Sequence, residues 1–258
     1  MENPEKRGLG LPNIGKKQNV APKGKSWFFG IGINDYKEFS NLNNAVNDIK
    51  AIQQLLMERY DVEDTKTIFD KEATRENIID HLDTLVEEVQ AEDKLIIYYS
   101  GHGHLNKKTD RGYWIPHNAK LGKTAHYIRN STIREYIKDL KARHVLLISD
   151  SCFSGTLFVR GTKRSTAAVG ELDAIPSRWA ICSGRHDEEV YDGKPGGNSP
   201  FTTSILETLS RNEKRTYNIA KLADFVVAQT RANYEQLPEG NPLYGVGHKG
   251  GQYVFRLK

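Results

Sequence analysis

The sequence has only two cysteines, Cys152 and Cys182, among its 258 residues. Two cysteines cannot build a disulfide framework, and this scarcity is typical of a protein from a reducing compartment. The chain also lacks an apolar run of about 18 residues, the length that a membrane-spanning helix needs. Its first residues are polar and charged rather than apolar. We therefore expect a cytoplasmic protein without a membrane partner or a secretion leader.

The sequence also has little excess charge, with 37 basic residues against 33 acidic ones. The resulting net charge of +4 does not by itself indicate a nucleic-acid partner, and none is expected. Part of the excess lies in residues 1–25, which are rich in lysine, glycine and proline. This composition predicts a basic flexible arm, and a nucleic-acid-binding arm is the less favoured alternative. Residues 26–258 are then long enough for one large domain.

Beyond residue 25, short apolar runs alternate with segments whose apolar residues recur at helical spacing. The runs predict buried strands at 26–33, 94–100, 144–149 and 179–182. Helices are predicted at 45–56, 74–89, 132–140, 199–209 and 219–232. Thr74 and Ser199 are predicted to cap helices, and Thr132 with Glu135 has the pattern of a capping box. Residues 252–255 are expected to close a sheet edge. This alternation predicts an α/β fold, with a mostly parallel central sheet, helices on both faces, and ligands beyond the carboxyl ends of the strands.

Two loops at those carboxyl ends contain reactive side chains. Strand 94–100 is followed by Gly101-His-Gly-His104, and strand 144–149 by Asp150-Ser-Cys-Phe-Ser-Gly155. If the two strands are neighbours, His102 lies beside Cys152. A thiol needs a base nearby to act as a nucleophile near neutral pH. The pattern therefore predicts Cys152 as nucleophile and His102 as general acid and base, with the backbone N–H groups of Gly103 and Cys152 as an oxyanion hole.

Other interpretations of these residues are weaker. Cys152 stands in a Gly- and Ser-rich setting that is unlike a protein core, whereas Cys182 lies in an apolar strand and is expected to be buried and inert. His102 and His104 have the spacing of a metal-binding pair, but no further ligand follows closely, so no metal site is expected. A phosphatase loop would need arginine six residues after its cysteine, where this chain has Phe158.

The order of motifs resembles that of the caspase and metacaspase superfamily. The matching segments are Ile31–Asn34, Asn47-Asp48, Tyr99–Gly103, Asp150–Gly155 and Ser199–Thr202. The 50 residues between the candidate histidine and cysteine match the spacing in caspases. Asp150-Ser-Cys stands where caspases have Gln-Ala-Cys, so metacaspases and their prokaryotic relatives are the closer match. The resemblance implies a caspase-like fold and a cysteine endopeptidase.

The resemblance also bears on specificity. Asp48 falls on or beside the apolar face of its helix, where a carboxylate is costly without a partner. Pairing of the Asp48 carboxylate with a nearby group at the start of the helix would explain this position. In metacaspases, however, this residue lines a pocket for a basic side chain, and Ser100 and Asp150 would be the other members here. The implied partner is therefore a protein or peptide substrate with Arg or Lys before the cut bond.

Calcium is a separate question, because many metacaspases need Ca²⁺ bound by carboxylates that follow the nucleophile. Residues 156–160 contain no acid here. Asp187, Glu188 and Glu189 have the chemistry to hold a hard cation, although a solvated loop is the simpler interpretation. We therefore expect no cofactor, and Ca²⁺ activation remains an alternative.

The segment 153–178 is polar and has no clear period, which predicts a mobile loop. It carries Arg160, Lys163 and Arg164, the residue types that the expected pocket accepts. Caspase relatives often mature by cleavage in this stretch, which implies a zymogen that cuts itself at these residues. A loop kept soluble by its charges is an equal alternative.

For the whole chain, the alternative to a peptidase is a catalytically silent or partner-activated scaffold of the same fold. A regulatory protein partner would fit either function.

Overall fold

The computed structural model describes residues 23–152, 157–158, 169–185 and 190–258. The strands are β1 Ser26–Gly32, β2 Asp64–Phe69, β3 Lys94–Ser100, β4 Gly103–Asn106, β5 Arg111–Trp114, β6 Ile128–Arg129, β7 His144–Asp150, β8 Ser177–Cys182, β9 Thr216–Asn218, β10 Glu239–Pro242 and β11 Val254–Arg256. The α-helices are α1 Ala45–Arg59, α2 Arg75–Glu88, α3 Asn130–Asp139, α4 Val169–Ala174, α5 Pro200–Ser210 and α6 Ile219–Asn233. No helix in the described part of the chain is long and apolar enough to cross a membrane.

Six strands form the central sheet in the order β10-β8-β7-β3-β1-β2. All neighbours are parallel except β10, which runs antiparallel to β8 at one edge. Strands β4, β5 and β6 form a small antiparallel sheet beside it. The mostly parallel sheet predicted from the alternation of strands and helices is confirmed. The prediction that 252–255 closes a sheet edge is wrong, because β10 and β2 occupy both edges and β11 pairs with β9 instead.

Helices cover both faces of this sheet, as predicted. On one face, α2 and α3 bury apolar residues that include Ile78, Leu82, Ile133 and Ile137. On the other face, α1, α5 and α6 bury residues that include Ile49, Ile52, Phe201, Ile205 and Leu222. The central strands are buried on both faces, which is why they are apolar runs without alternation.

Two of the three predicted helix caps are present. The Thr74 hydroxyl accepts from Asn77 N at 3.2 Å, and the Ser199 hydroxyl accepts from Thr202 N at 2.9 Å. The capping box at Thr132 is wrong, because the chain turns directly from β6 into α3 at Asn130 and Thr132 already lies inside the first turn. The capping-box pattern predicted the wrong first residue for α3, because the end of β6 determines where this helix begins.

The described parts of segment 153–178 are anchored, contrary to the expectation of a mobile loop. Leu157 is fully buried, and its carbonyl accepts from Arg134 Nη1 at 2.6 Å. Residues 169–174 form α4, where Asp173 accepts from Lys94 Nζ at 2.6 Å. Burial of an apolar side chain and a buried ion pair hold these stretches. Residues 153–156 and 159–168 lie outside the described residues, and with them Arg160, Lys163 and Arg164. The predicted arm at 1–25 is described only from residue 23.

Candidate active site

The pairing of β3 with β7 sets the geometry of the site. Lys94 lies opposite His144 and Ser100 opposite Asp150, so every pair in this register is 50 residues apart. A residue two positions beyond the end of β3 is therefore level with the residue two positions beyond the end of β7. These two residues are His102 and Cys152. The structure thus brings the two loops together at the carboxyl edge of the sheet.

Close backbone packing between Gly103 and Cys152 joins these two loops. A β-carbon at Gly103 would overlap the carbonyl oxygen of Cys152 and would lie 3.3 Å from its nitrogen. Only glycine permits this approach without displacing one of the loops. The backbone of Gly103 and that of Cys152 therefore lie side by side, as two donors to one oxyanion must.

The imidazole of His102 is oriented by the turn that precedes α1. Its Nε2 lies 2.7 Å from the carbonyl oxygen of Ser40 and 3.4 Å from the Ser40 hydroxyl. A carbonyl oxygen only accepts, so Nε2 carries the hydrogen and Nδ1 of the neutral ring is left as the basic nitrogen. The ring also packs against Tyr36, with centroids 4.7 Å apart.

Two tyrosines hold the backbone of His102. Its N–H donates to the Tyr36 hydroxyl at 2.7 Å, and its carbonyl accepts from the Tyr99 hydroxyl at 2.7 Å. Ile115 N also donates to that carbonyl at 3.0 Å. Burial raises the pKa of both tyrosines, so they remain neutral. The histidine loop is therefore fixed from both sides.

The two cysteines have different environments. Cys152 is half-buried, and its Sγ accepts from the backbone N–H of Val190 at 3.4 Å. Cys182 is fully buried in β8, within the apolar core. The expectation that Cys182 is buried is confirmed. Only Cys152 is open to a substrate.

The three predicted pocket residues lie together near the ends of β3 and β7. Asp48 is almost fully buried on α1, and its Oδ2 accepts from the Ser100 hydroxyl at 3.1 Å. Its Oδ1 accepts from Asn198 Nδ2 at 2.9 Å and from Ser199 N at 3.0 Å. Asp48 is therefore bound to residues far along the chain, and the local pairing considered from the sequence is absent among the contacts described.

Asp150 completes this group at the end of β7. Its Oδ2 accepts from the hydroxyls of Ser199 and Thr202, the latter at 3.2 Å. Its Oδ1 is buried and has no hydrogen-bond partner of ordinary geometry among the described residues, although Ser183 lies close enough to affect its titration. An unpartnered buried carboxylate oxygen is costly and suits an incoming donor. Ser199 was predicted as a helix cap within a segment that matches the family, but its contact with Asp150 was not predicted.

The two carboxyl groups influence each other. Burial, together with the nearby charge of Asp150, raises the pKa of Asp48 to about 8, against the hydrogen bonds that Asp48 accepts. Burial raises the pKa of Asp150 to about 6, against the hydrogen bonds from Ser199 and Thr202. Near neutral pH the pair therefore retains about one proton in the absence of a cation. A bound cation favours the ionised form of both.

The remaining candidates lie elsewhere. The ring of His104, on β4, contacts that of Tyr127 with centroids 5.5 Å apart, and burial lowers its pKa. No group of three or more metal-ligating side chains occurs in the part of the chain that the structure describes. Asp187, Glu188 and Glu189, the residues considered for Ca²⁺, fall in the gap at 186–189 between described segments.

Comparison with known families gives a single answer. The family model Peptidase_C14, described as a caspase domain, matches residues 29–241. Metacaspase-1 of Pyricularia oryzae is 30% identical over 176 residues, which cover 63% of this chain and 44% of that protein. Metacaspase-1 of Schizosaccharomyces pombe is 27% identical over 147 residues, which cover 52% and 35%. The chain thus spans less than half the length of these relatives.

Solved structures agree in fold. Caspase-1 from Spodoptera frugiperda superposes with a TM-score of 0.64 at 12% identity, covering 88% of this chain and 89% of that one. A protein from Geobacter sulfurreducens also gives 0.64, at 16% identity, covering 89% and 99%. At such low identities the likeness establishes the fold alone.

Proposed function

Because this chain belongs to the Peptidase_C14 caspase-domain family, we propose that it is a cysteine endopeptidase acting through a Cys-His dyad of Cys152 and His102. The observation that carries the proposal is the packing of Gly103 on the carbonyl of Cys152. This contact supports the proposal because it packs the loop that contains His102 against the loop that contains Cys152. The reducing compartment predicted from the two free cysteines would keep the thiol available.

The reaction follows from this arrangement. Nδ1 of His102 takes the proton from Cys152 Sγ, and the thiolate attacks the carbonyl carbon of the peptide bond. The backbone N–H groups of Gly103 and Cys152 bind the oxyanion that forms. The imidazolium gives its proton to the leaving amine as the C–N bond breaks, and a thioester remains. His102 then deprotonates a water that hydrolyses the thioester and restores the thiol.

Asp48, Ser100 and Asp150 form the pocket for an Arg or Lys side chain in this proposal. The pocket contains two carboxyl groups and, among the described residues within hydrogen-bonding distance of them, no cationic side chain. Asp150 Oδ1, which has no hydrogen-bond partner of ordinary geometry among the described residues, offers an acceptor that a guanidinium or ammonium would satisfy. An aspartate side chain would bring a further carboxylate into this acidic pocket, so cleavage after Asp is disfavoured.

A covalent inhibitor tests this proposal directly. We expect a peptidyl chloromethyl ketone with Arg at its reactive end to label wild-type protein at Cys152, because the pocket presents the ketone to the thiol. Intact-mass and peptide-mass measurements locate the label. The Cys152→Ala variant should remain unlabelled, and an analogue with Asp in place of Arg should react far more slowly. Label confined to Cys182, or equal labelling by both reagents, would contradict the proposal.

Self-cleavage at Arg160, Lys163 or Arg164 is a further part of the proposal, supported by the match between these basic residues and the pocket. Purified wild-type protein should accumulate fragments that end at one of these residues, while Cys152→Ala stays intact, because only the former has a nucleophile. Mass spectrometry of both proteins, incubated with and without Ca²⁺, measures the result. Active wild-type enzyme that remains a single intact chain under both conditions argues against self-processing.

A further inference from the structure

The loop formed by residues 190–199 lies across the amino end of α1, and Asp192 fixes it there. Asp192 Oδ2 accepts from Asn43 N at 2.6 Å and from Asn43 Nδ2 at 3.1 Å, while Oδ1 accepts from Asn44 N at 3.2 Å. The Asp192 carbonyl also accepts from Asn44 Nδ2 at 2.6 Å. A carboxylate at this position gains from charge-assisted hydrogen bonds and from the partial positive charge of a helix amino terminus.

The backbone that follows Asp192 is shaped to fit this contact. Gly193 has a φ of 86°, and a β-carbon there would lie 2.5 Å from the Asn198 carbonyl oxygen and 3.2 Å from Asn44 Nδ2. Asn44 is buried and also donates to the Lys194 carbonyl at 2.9 Å. Residues 193–197 are themselves exposed and contribute no buried apolar side chain. Polar contacts with the start of α1 therefore hold this loop in place.

Each end of the 190–199 loop contacts a different part of the site. At one end, Val190 N donates to Cys152 Sγ at 3.4 Å. At the other end, Asn198 Nδ2 and Ser199 N donate to Asp48 Oδ1 at 2.9 and 3.0 Å. Asp192 lies between these ends in sequence. The loop that Asp192 anchors therefore contacts both the thiol and the pocket.

We propose that Asp192 is a positioning residue, which fixes the 190–199 loop on α1 so that the loop forms the wall of the substrate pocket beside the nucleophile. The inference rests on the proposed peptidase function and assigns a residue outside the Asp48, Ser100 and Asp150 group. Asp192 acts through the loop, since among the described residues its carboxylate accepts hydrogen bonds from Asn43 and Asn44 and not from His102 or Cys152. Its loss should therefore weaken substrate binding more than the chemical step.

The test compares Asp192→Ala with the matched variant Asp80→Asn, which removes a carboxylate from the exposed side of α2 on the other face of the sheet. We expect Asp192→Ala to raise KM for an Arg peptide by about fivefold or more while kcat changes by less than about twofold. The rate of Cys152 alkylation by iodoacetamide should stay within about twofold, because a small reagent does not need the pocket wall. Asp80→Asn should behave as wild type. Asp192→Glu, which keeps a carboxylate, should recover part of the lost affinity.

Hydrogen exchange provides a measurement that is independent of activity. Amides of residues 190–199 and of Asn43 and Asn44 should exchange faster in Asp192→Ala than in wild type. Unchanged exchange there overturns the proposal, whether or not the protein cleaves peptides. Faster exchange with unchanged KM also overturns it, because the loop would then not shape the pocket. If the wild-type enzyme cleaves no peptide, the peptidase assignment fails, but the exchange measurement still shows whether Asp192 holds the 190–199 loop on α1. Asp192→Asn, which keeps the side-chain shape, replaces the alanine variant if that variant does not fold.

Discussion

Replacing Cys152 by alanine is expected to lower hydrolysis of an Arg peptide by about 10⁴-fold or more, because the variant has no nucleophile to form the thioester. His102→Ala should lose a similar amount, since neither deprotonation of the thiol nor protonation of the leaving amine remains. The two residues act as a unit, so the double variant should be no worse than either single one. Release of a fluorogenic group from an Arg peptide, followed over hours, measures all three.

The control for this experiment is Cys182→Ala. Cys182 is buried in β8, so its replacement removes the other thiol from the apolar core. This variant should retain most of the activity and show the same far-ultraviolet circular dichroism as wild type. Substantial turnover by purified Cys152→Ala would require another nucleophile and would remove the basis of the Cys-His assignment.

The second large effect concerns Asp48. Asp48→Asn should lower kcat/KM for an Arg peptide by about tenfold or more, because the substrate cation loses one of two carboxylate partners in a buried pocket. An Asp peptide should remain a poor substrate of both proteins. Asp80→Asn provides the matched removal of a carboxylate at an exposed site. Wild-type enzyme that cleaves an Asp peptide faster than its Arg counterpart would contradict the acidic pocket.

The raised pKa of Asp48 adds a pH dependence with a definite sign. A protonated carboxyl attracts a cation less strongly, so discrimination in favour of Arg should increase as the pH rises from about 6 to about 8 and Asp48 ionises. The useful quantity is the ratio of kcat/KM for an Arg peptide to that for its neutral citrulline isostere, because any pH dependence shared by the two substrates cancels in this ratio. This ratio should rise with pH in wild type and stay nearly flat in Asp48→Asn.

Much of this site could be predicted from local sequence. Strands β3 and β7 are continuous apolar runs, and such runs in an alternating pattern indicate neighbouring parallel strands. Each is followed by a Gly- or Ser-rich loop with one reactive residue, His102 or Cys152. Paired residues of β3 and β7 are 50 residues apart in the sequence, and so are His102 and Cys152. The sequence interval alone therefore indicates that these two residues lie level with each other at the sheet edge.

The remaining contacts could not be predicted because they are formed by residues far apart in the chain. Asp192 contacts Asn43 and Asn44, about 150 residues earlier, and nothing in the local pattern around any of them indicates the others. Strand β10, with sequence Glu-Gly-Asn-Pro, has no strand propensity and exists because it pairs with the open edge of β8. Segment 252–255 has the better strand composition, yet it lies away from that edge.

The support for the His102 imidazole has an evolutionary consequence, because its acceptor is the backbone carbonyl of Ser40. In a Ser-His-Asp triad the third group is a side chain, and changing Asp to Asn costs about 10⁴-fold in kcat. A backbone carbonyl is present whatever residue is encoded, so no single codon change at position 40 deletes it. The Ser40 hydroxyl, at 3.4 Å, is the longer contact, and its loss leaves the carbonyl in place. This support for the imidazole is therefore insensitive to point mutation at position 40 and should leave no trace in an alanine scan. The identity of the residue there is free to change so long as the turn keeps its shape.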